Sequence, residues 1–576
     1  MSSRRLIGLL SLVVLGAAFT PRNLGNCTPT PRCRSIPGDE SWPSQTDWDA
    51  LNRTVGGKLI ATVPIAAPCH NTLFGQSNLS EYSQSECDAL RNVWYFPETH
   101  LPSSSSPMAY PFSNNSCNPW LGPDTPCTLG YHVAYAVNAT SAADYQKAIS
   151  FVKRHNVRLA VRNTGHDYLG KSTGAYALAI WTHYMKSMDV IESYQSTNYT
   201  GTALKLGAGV ESIEAYTFAS THGLMVVGGN CPTVGIAGGY TQGGGHGPLA
   251  STYGLSADQV LEWEVVTGAG EVVVATPSQN SDLFWALSGG GGGTFGVVLS
   301  VTIKAFPDTF FSAAYLTILN NGTNADALYQ GVGMFLQILP SLVDNKVYAV
   351  WVAAPFGFML MPAIVPGLQS AELDNLLQPL LDGISRIGLE YQYSSAEHPT
   401  FLSSYNALTS SWNVSDYNVG GRLIPRDLVE TNPDGLLDAI RYISNQTLMS
   451  GVSFNLRNST LSPDQIAVNP YMRQSLFSIT VGTPINYTDW PANQAAQDKI
   501  TYDLLPKLAA LTPNGGAYLN EGDFQQADFQ TVFYGDHYDR LLQIKGTYDP
   551  EDIFYVKTGV GSDAWEQQLD GRLCRV

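Results

Sequence analysis

Two loops concentrate small residues beside an imidazole and a thiol. One is Arg162-Asn163-Thr164-Gly165-His166-Asp167. The other is the glycine-dense stretch that holds Cys231 and Val234 and runs on through Gly238, Gly239 and Gly243 to Gly247. Successive small residues free consecutive backbone N–H groups, and such a nest cradles a pyrophosphate without needing a helix N-terminus. A flavin dinucleotide carries that group. Taken singly, His166 reads as a hydrogen-bonded loop histidine and Cys231 as a small buried thiol, the commoner fate of each residue type.

Three other patterns name different chemistries. Gly165 through Gly170-Lys171-Ser172 satisfies the P-loop spacing and follows a strand, which would place Lys171 on nucleotide phosphates and a hydroxyl on Mg²⁺. Gly170-Lys171-Ser172-Thr173-Gly174 matches a nucleophile elbow, yet Ala177 to Trp181 reads as a strand where that motif requires a helix. Gly291, Gly293 and Gly296 match G-x-G-x-x-G with helix before and strand after, the reverse of a dinucleotide fold. The last two read as chance matches in a glycine-rich chain, and the P-loop ranks below the flavin reading.

The elements that must position the two loops are legible nearby. A helix is predicted from about Thr140, with Ser141 and Asp144 at its start and Tyr145, Ile149 and Val152 on one face, ending at Asn156. A strand over 157–162 then opens directly into the His166 loop. Strands are predicted at Val260 to Thr267, Glu271 to Ala275 and Val297 to Ile303, with a short helix from Asp282 to Leu287 and five glycines from Gly289 to Gly293. Residues 308–510 mix strands and helices, including a helix over Leu373 to Leu381, and show no metal-ligand spacing.

Composition sets the class and the compartment. Hydrophobic residues make up 44% and charged residues 14%, a balance that excludes a disordered or coiled-coil chain. A net charge of −17 with no basic stripe argues against nucleic acid or anionic membrane as partners. Arg4 and Arg5 precede an uncharged run from Leu6 to Phe19, which reads as a secretory signal over residues 1–18. Eleven glycosylation sequons between Asn26 and Asn486 fit the same route. The uncharged run from Val347 to Leu368 contains Pro355, Pro362 and Pro366, so it reads as a strand entering a proline-rich turn and not as a membrane helix. Six of eight cysteines precede residue 130, and the shortest loops pair Cys69 with Cys87 and Cys117 with Cys127.

The strings VRNTGHDYLGKSTG, GGNCPTVGIAGGYTQGGGHG and YDPEDIFYVKTGVGSDAW, in that order, resemble the secreted berberine-bridge-enzyme-like branch of the vanillyl-alcohol-oxidase flavoproteins, and its fungal members above all. The resemblance implies an α+β fold. A disulfide-containing segment would occupy 19–127, a two-subdomain PCMH-type FAD-binding domain 128–307, a substrate domain on an antiparallel sheet 308–510, and a C-terminal segment 511–576 would return to the flavin domain. It implies FAD linked to both His166 and Cys231, with the loop residues Arg162, Asn163, Thr164, Gly165, Asp167, Val234, Gly238, Gly239 and Gly243 around it. Cys33, whose usual family partner position is Ser41 here, is left to Cys27 or Cys574. Ala517-Tyr518-Leu519-Asn520-Glu521-Gly522-Asp523 resembles the family's flavin-side segment with Glu521 in place of its Tyr, which makes Tyr518 or Glu521 the proton acceptor and Asn520 a hydrogen-bonding partner of the ring. His183, His246 and His537 are further acceptors, each read first as structural. The expected reaction is oxidation of an alcohol-type carbon of a small organic molecule, a secondary metabolite before a sugar hemiacetal, with O₂ giving H₂O₂. Val234, three residues after Cys231, is expected to leave O₂ a path to the reduced ring.

Overall fold

The computed structural model describes residues 33–79, 82–408, 413–457, 459 and 461–576. The expected signal over 1–18, Asn26, Cys27 and Asn458 lie outside the described residues.

Three sheets carry the architecture. The first has four strands in the order β1-β2-β4-β3, formed by Leu59–Ala61 (β1), Tyr135–Asn138 (β2), Leu159–Arg162 (β3) and Leu178–Trp181 (β4), with β2, β4 and β3 parallel. The helix Ala142–His155 crosses from β2 to β3. Its buried Tyr145, Ala148, Ile149 and Val152 fall three and four residues apart and pack with Leu159, Leu178 and Trp48. The Asp144 carboxylate takes the Thr140 N–H (3.0 Å) and the Ser141 hydroxyl (3.0 Å) at one end, and Asn156 stops the helix at φ 52°. Helix and β3 therefore lie where the pattern put them, and β3 delivers its C-terminal end to the His166 loop.

The second sheet is antiparallel with five strands in the order β5-β6-β9-β7-β8: Met188–Gln195 (β5), Thr200–Gly207 (β6), Val260–Val266 (β7), Val272–Ala275 (β8) and Val297–Lys304 (β9). The third has seven antiparallel strands: Phe311–Leu319 (β10), Tyr348–Ala354 (β11), Gly357–Pro366 (β12), Gln392–His398 (β13), Tyr417–Pro425 (β14), Leu448–Ser453 (β15) and Ser475–Pro484 (β16). Their order is β13-β10-β12-β11-β15-β16-β14. Helices Ala325–Asp344, Ser370–Arg386 and Pro433–Ser444 cover one face of this sheet, where Trp351, Phe335, Leu377 and Ile440 share a core. Gly451 stands opposite Trp351, and a Cβ there would lie 2.0 Å from the indole, so glycine is what lets the ring cross the strand.

The run Val347 to Leu368 corrects the expectation of a single strand and turn. It forms the hairpin β11–β12, with Pro355 and Phe356 between the strands and Pro362 inside β12. Pro362 sits where the register shifts against both neighbours, between the pairs made by Leu360 and Ala363, so its missing N–H interrupts neither ladder. Among the described residues no helix is long and apolar enough to cross a membrane.

Disulfides join Cys69 to Cys87 and Cys117 to Cys127 as read, and Cys33 to Cys574, deciding between the two partners left open. Cys231 is free. The C-terminal segment packs back on the first sheet: Phe554 bridges to Leu159, and the buried Lys545 Nζ bonds Asp549 (2.6 Å) and the Phe554 carbonyl (2.8 Å).

Candidate functional site

Three glycine-rich segments meet the third sheet around a cleft of about 320 Å³. The first is the loop leaving β3. The Asp167 carboxylate closes its turn, accepting from the N–H of Leu169 (3.0 Å) and from the N–H (2.7 Å) and hydroxyl (3.1 Å) of Ser172. With that turn held by a side chain, none of the four successive N–H groups of Thr164, Gly165, His166 and Asp167 has an acceptor among the described residues. Arg162 lies beneath the loop and does not line the cleft. Its Nη2 donates to the carbonyls of His100 (3.3 Å) and Thr164 (3.5 Å), and a Cβ on Gly165, at φ +86°, would sit 2.6 Å from the guanidinium. Burial lowers Arg162 to about 10, which still leaves it charged at neutral pH.

The second segment carries Cys231, Val234, Gly238 and Gly239 into the same cleft. His166 Nε2 pairs with Thr233 Oγ1 at 2.6 Å, so the two loops read separately in the sequence are tied side chain to side chain. Asn163 Nδ2 donates to the Ala208 carbonyl (2.7 Å), and a Cβ on Gly235 would lie 2.0 Å from it. Gly243 stands behind the lining, where a Cβ would press on the Asn520 amide at 2.5 Å. The third segment, Gly292 and Gly293, gave no sequence signal beyond the mismatched glycine pattern, yet it lines the cleft, with Gly292 against the backbone of Gly239.

Across from these loops stands the C-terminal segment. Tyr518 Oη accepts from the Gly245 N–H (3.2 Å) and from Asn520 Nδ2 (2.8 Å), and the same Nδ2 donates to the Gly239 carbonyl (2.8 Å). Glu521 Oε1 lies 3.1 Å from His246 Nε2, whose ring reaches Tyr348 Oη (3.3 Å) with its other nitrogen. Of the three further histidines only His246 lines the cleft. His183 stacks on Trp181 near Glu211, and His537 packs edge-on to Trp285.

Residues 133–276 match the model described as FAD binding domain, and residues 517–561 match the one described as Berberine and berberine like. The chain is 44% identical over 577 residues to the FAD-linked oxidoreductase sor8 of Hypocrea jecorina, covering 99% of both chains. The chain belongs to the berberine-bridge-enzyme-like FAD-linked oxidoreductases. The VAO-type flavoprotein MtVAO615 from Myceliophthora thermophila superposes with a TM-score of 0.89 at 40% identity, over 94% of this chain and 100% of that one. At 19% identity and a TM-score of 0.63, over 75% and 92% of the two chains, glucooligosaccharide oxidase from Acremonium strictum shares the fold. That protein is described as holding 6-S-cysteinyl, 8α-N1-histidyl FAD.

An FAD-dependent oxidoreductase must hold a dinucleotide, and the polar groups and glycines of the cleft fit one. Besides the four unclaimed N–H groups, Asn163 Oδ1 and Gln242 Oε1 are buried with no partner among the described residues. A Cβ on Gly238 or Gly239 would meet nothing nearer than 3.6 Å and 4.0 Å, so side chains there would occupy the cleft itself. Burial lowers His166 to about 3 and keeps its imidazole neutral, and burial beside Glu521 raises the Cys231 thiol to about 12. Burial raises the Tyr518 phenol as well.

In this oxidoreductase the P-loop reading fails on geometry. No helix follows Ser172, and Lys171 Nζ donates to the Leu519 carbonyl (3.1 Å), lowered by burial to about 8. The nucleophile elbow fails for the same missing helix. Sequence reasoning passed over Tyr168, Tyr240 and Gln242, all of which line the cleft. Tyr168 sits two residues after His166, and position within the motif was the one signal available.

Proposed function

We propose that this enzyme is a secreted oxidase that removes hydride from an alcohol-type carbon of a small organic molecule, with FAD joined through His166 and Cys231. The observation that carries the attachment is that both side chains line one cleft on loops tied by the His166–Thr233 hydrogen bond. The glucooligosaccharide oxidase that shares the fold supports it. When bound, the flavin would supply the two-electron acceptor for the hydride and the redox centre open to O₂. The unclaimed loop N–H groups of Thr164 to Asp167 would hold its pyrophosphate. Glu521 Oε1 takes the alcohol proton, positioned by His246, and the phenol of Tyr518, fixed by two donors, orients the substrate oxygen. Burial holds the Tyr518 phenol in its neutral form, which suits it to donate to the substrate oxygen and leaves the proton to Glu521 as hydride departs.

Strands β2 to β4 of the first sheet and all of the second lie within 135–304, and the third sheet lies within 311–484. This supports a flavin domain over 128–307, joined by β1 from the segment before it, and a substrate domain over 308–510. The bridge from Phe554 to Leu159 supports a returning segment over 511–576. Exposed sequon asparagines such as Asn114, Asn198, Asn321 and Asn486, together with three disulfides, support the secretory route.

The test of attachment is acid precipitation. The wild-type pellet stays yellow, each single variant His166→Ala or Cys231→Ala keeps one link, and only the double variant releases flavin to the supernatant. Colour lost from the wild-type pellet would overturn the assignment. Val234 lines the cleft beside Cys231, and Val234→Leu is expected to slow reoxidation of photoreduced enzyme in air while leaving reduction by substrate unchanged. Wild-type flavin that stays bleached in aerated buffer but recovers with a dye acceptor would make the enzyme a dehydrogenase.

A further inference from the structure

On the seven-stranded sheet, side chains alternate between two surroundings. Ala349, Trp351 and Ala353 of β11 and Ile479 and Val481 of β16 enter the helix-covered core, whereas Val350, Val419, Ser450, Val452 and Thr480 line the cleft. The register sets Val350 opposite Val452 and Ser450 opposite Thr480, and pairs Val419 with Gly482. The cleft side of four adjacent strands is thus a patch of three valines and two small hydroxyls. Thr480 already donates its hydroxyl to Glu521 Oε2 (3.4 Å), which leaves Ser450 as the hydroxyl of this patch with no hydrogen bond among the described residues. None of the five is a carboxylate, an amide or a cation, the groups that pair with the hydroxyls of a sugar.

We infer that this strand surface selects an apolar alcohol, its carbinol flanked by aryl or hydrocarbon carbon, over a carbohydrate. The inference rests on the proposed alcohol oxidation and names the substrate class. Apolar carbon gains by leaving water for the valine patch. A sugar would bring several hydroxyls to a surface with one free partner, and each hydroxyl buried without a hydrogen bond opposes binding. Glu521 and His246 stand at the edge of the patch, so the one polar end of an apolar alcohol meets the one ionisable pair there.

The test is calorimetric titration of the flavin-loaded enzyme under argon with 4-isopropylbenzyl alcohol and with cellobiose, followed by inspection of the flavin absorbance. The aryl alcohol is expected to bind at least about 100-fold more tightly, the ratio of a few lost or gained contacts of this kind. Val452→Asn is expected to weaken it about 10-fold or more, and the isosteric Val452→Thr to weaken it less. Val419→Asn, on the edge strand, supplies a second variant should Val452→Asn fail to fold. Equal or tighter binding of cellobiose overturns the inference, as does an aryl-alcohol affinity unchanged by both asparagine variants, or no binding of either probe. Aryl alcohol that binds with this pattern without bleaching the flavin refutes the oxidation and leaves the selectivity standing. Bleaching by cellobiose alone refutes the selectivity and leaves the oxidation standing.

Discussion

Glu521→Gln is expected to slow anaerobic reduction of the flavin by about 10²- to 10⁴-fold while leaving the flavin absorbance intact, the range a positioned base contributes. The amide keeps the size of the carboxylate and its place beside His246 Nε2, so the loss reports the proton acceptor and not the shape of the cleft. Tyr518→Phe removes the oxygen that receives the Gly245 N–H and Asn520 Nδ2. It is expected to slow reduction less, because an orienting contact is lost and the acceptor stays. Stopped-flow measurement of both variants with the same alcohol decides the order. If Glu521→Gln reduces at the wild-type rate and Tyr518→Phe does not, the roles exchange. If both reduce at the wild-type rate, His246 is the acceptor to replace next.

The second large effect is on stability. Arg473, just before β16, donates to both oxygens of Asp258 (2.8 Å and 2.5 Å), and side-chain exposures of 8% and 1% put the pair inside the protein. Asp258 also accepts from the Leu255 N–H (2.9 Å) and the Ser459 hydroxyl (3.0 Å), so its lone pairs are well used. Arg473→Ala removes the cation and leaves a buried carboxylate, a change that costs about 3–5 kcal/mol, whereas exchanging both residues for apolar ones of similar volume costs far less. Arg473→Ala should therefore lower the denaturation midpoint sharply, and the double variant Arg473→Met with Asp258→Leu should recover most of it. An unchanged midpoint for Arg473→Ala would show that the pair adds nothing, and the link between the flavin half and the third sheet would have to be sought elsewhere.

Legibility followed the range of the interactions. The helix Ala142–His155 and β3 are set by local spacing, by the Asp144 carboxylate at one end and by an αL asparagine at the other, all visible in a few residues. The His166 and Cys231 motifs were legible because each nest is a continuous run. The hairpin over 348–366 was misread because three prolines argue locally for a turn, and only the register of two neighbouring strands shows that Pro362 falls at a bulge. Gly292 and the Glu521–His246 pair were unreadable for the same reason. Their meaning comes from partners far along the chain, 275 residues away in the case of Glu521 and His246.

The Cys33–Cys574 bond spans 541 residues of sequence. Considered as a polymer, the described chain is therefore a closed ring, with all three sheets strung on the one loop. A single cut by a protease, wherever it falls on that ring, opens the loop without dividing the molecule. The segment bearing Tyr518 and Glu521 would stay covalently bound to the half bearing His166 and Cys231 through any one such event. For an enzyme proposed to work outside the cell, where proteases are common and the disulfide is safe from reduction, that makes survival of the assembled site independent of any one peptide bond.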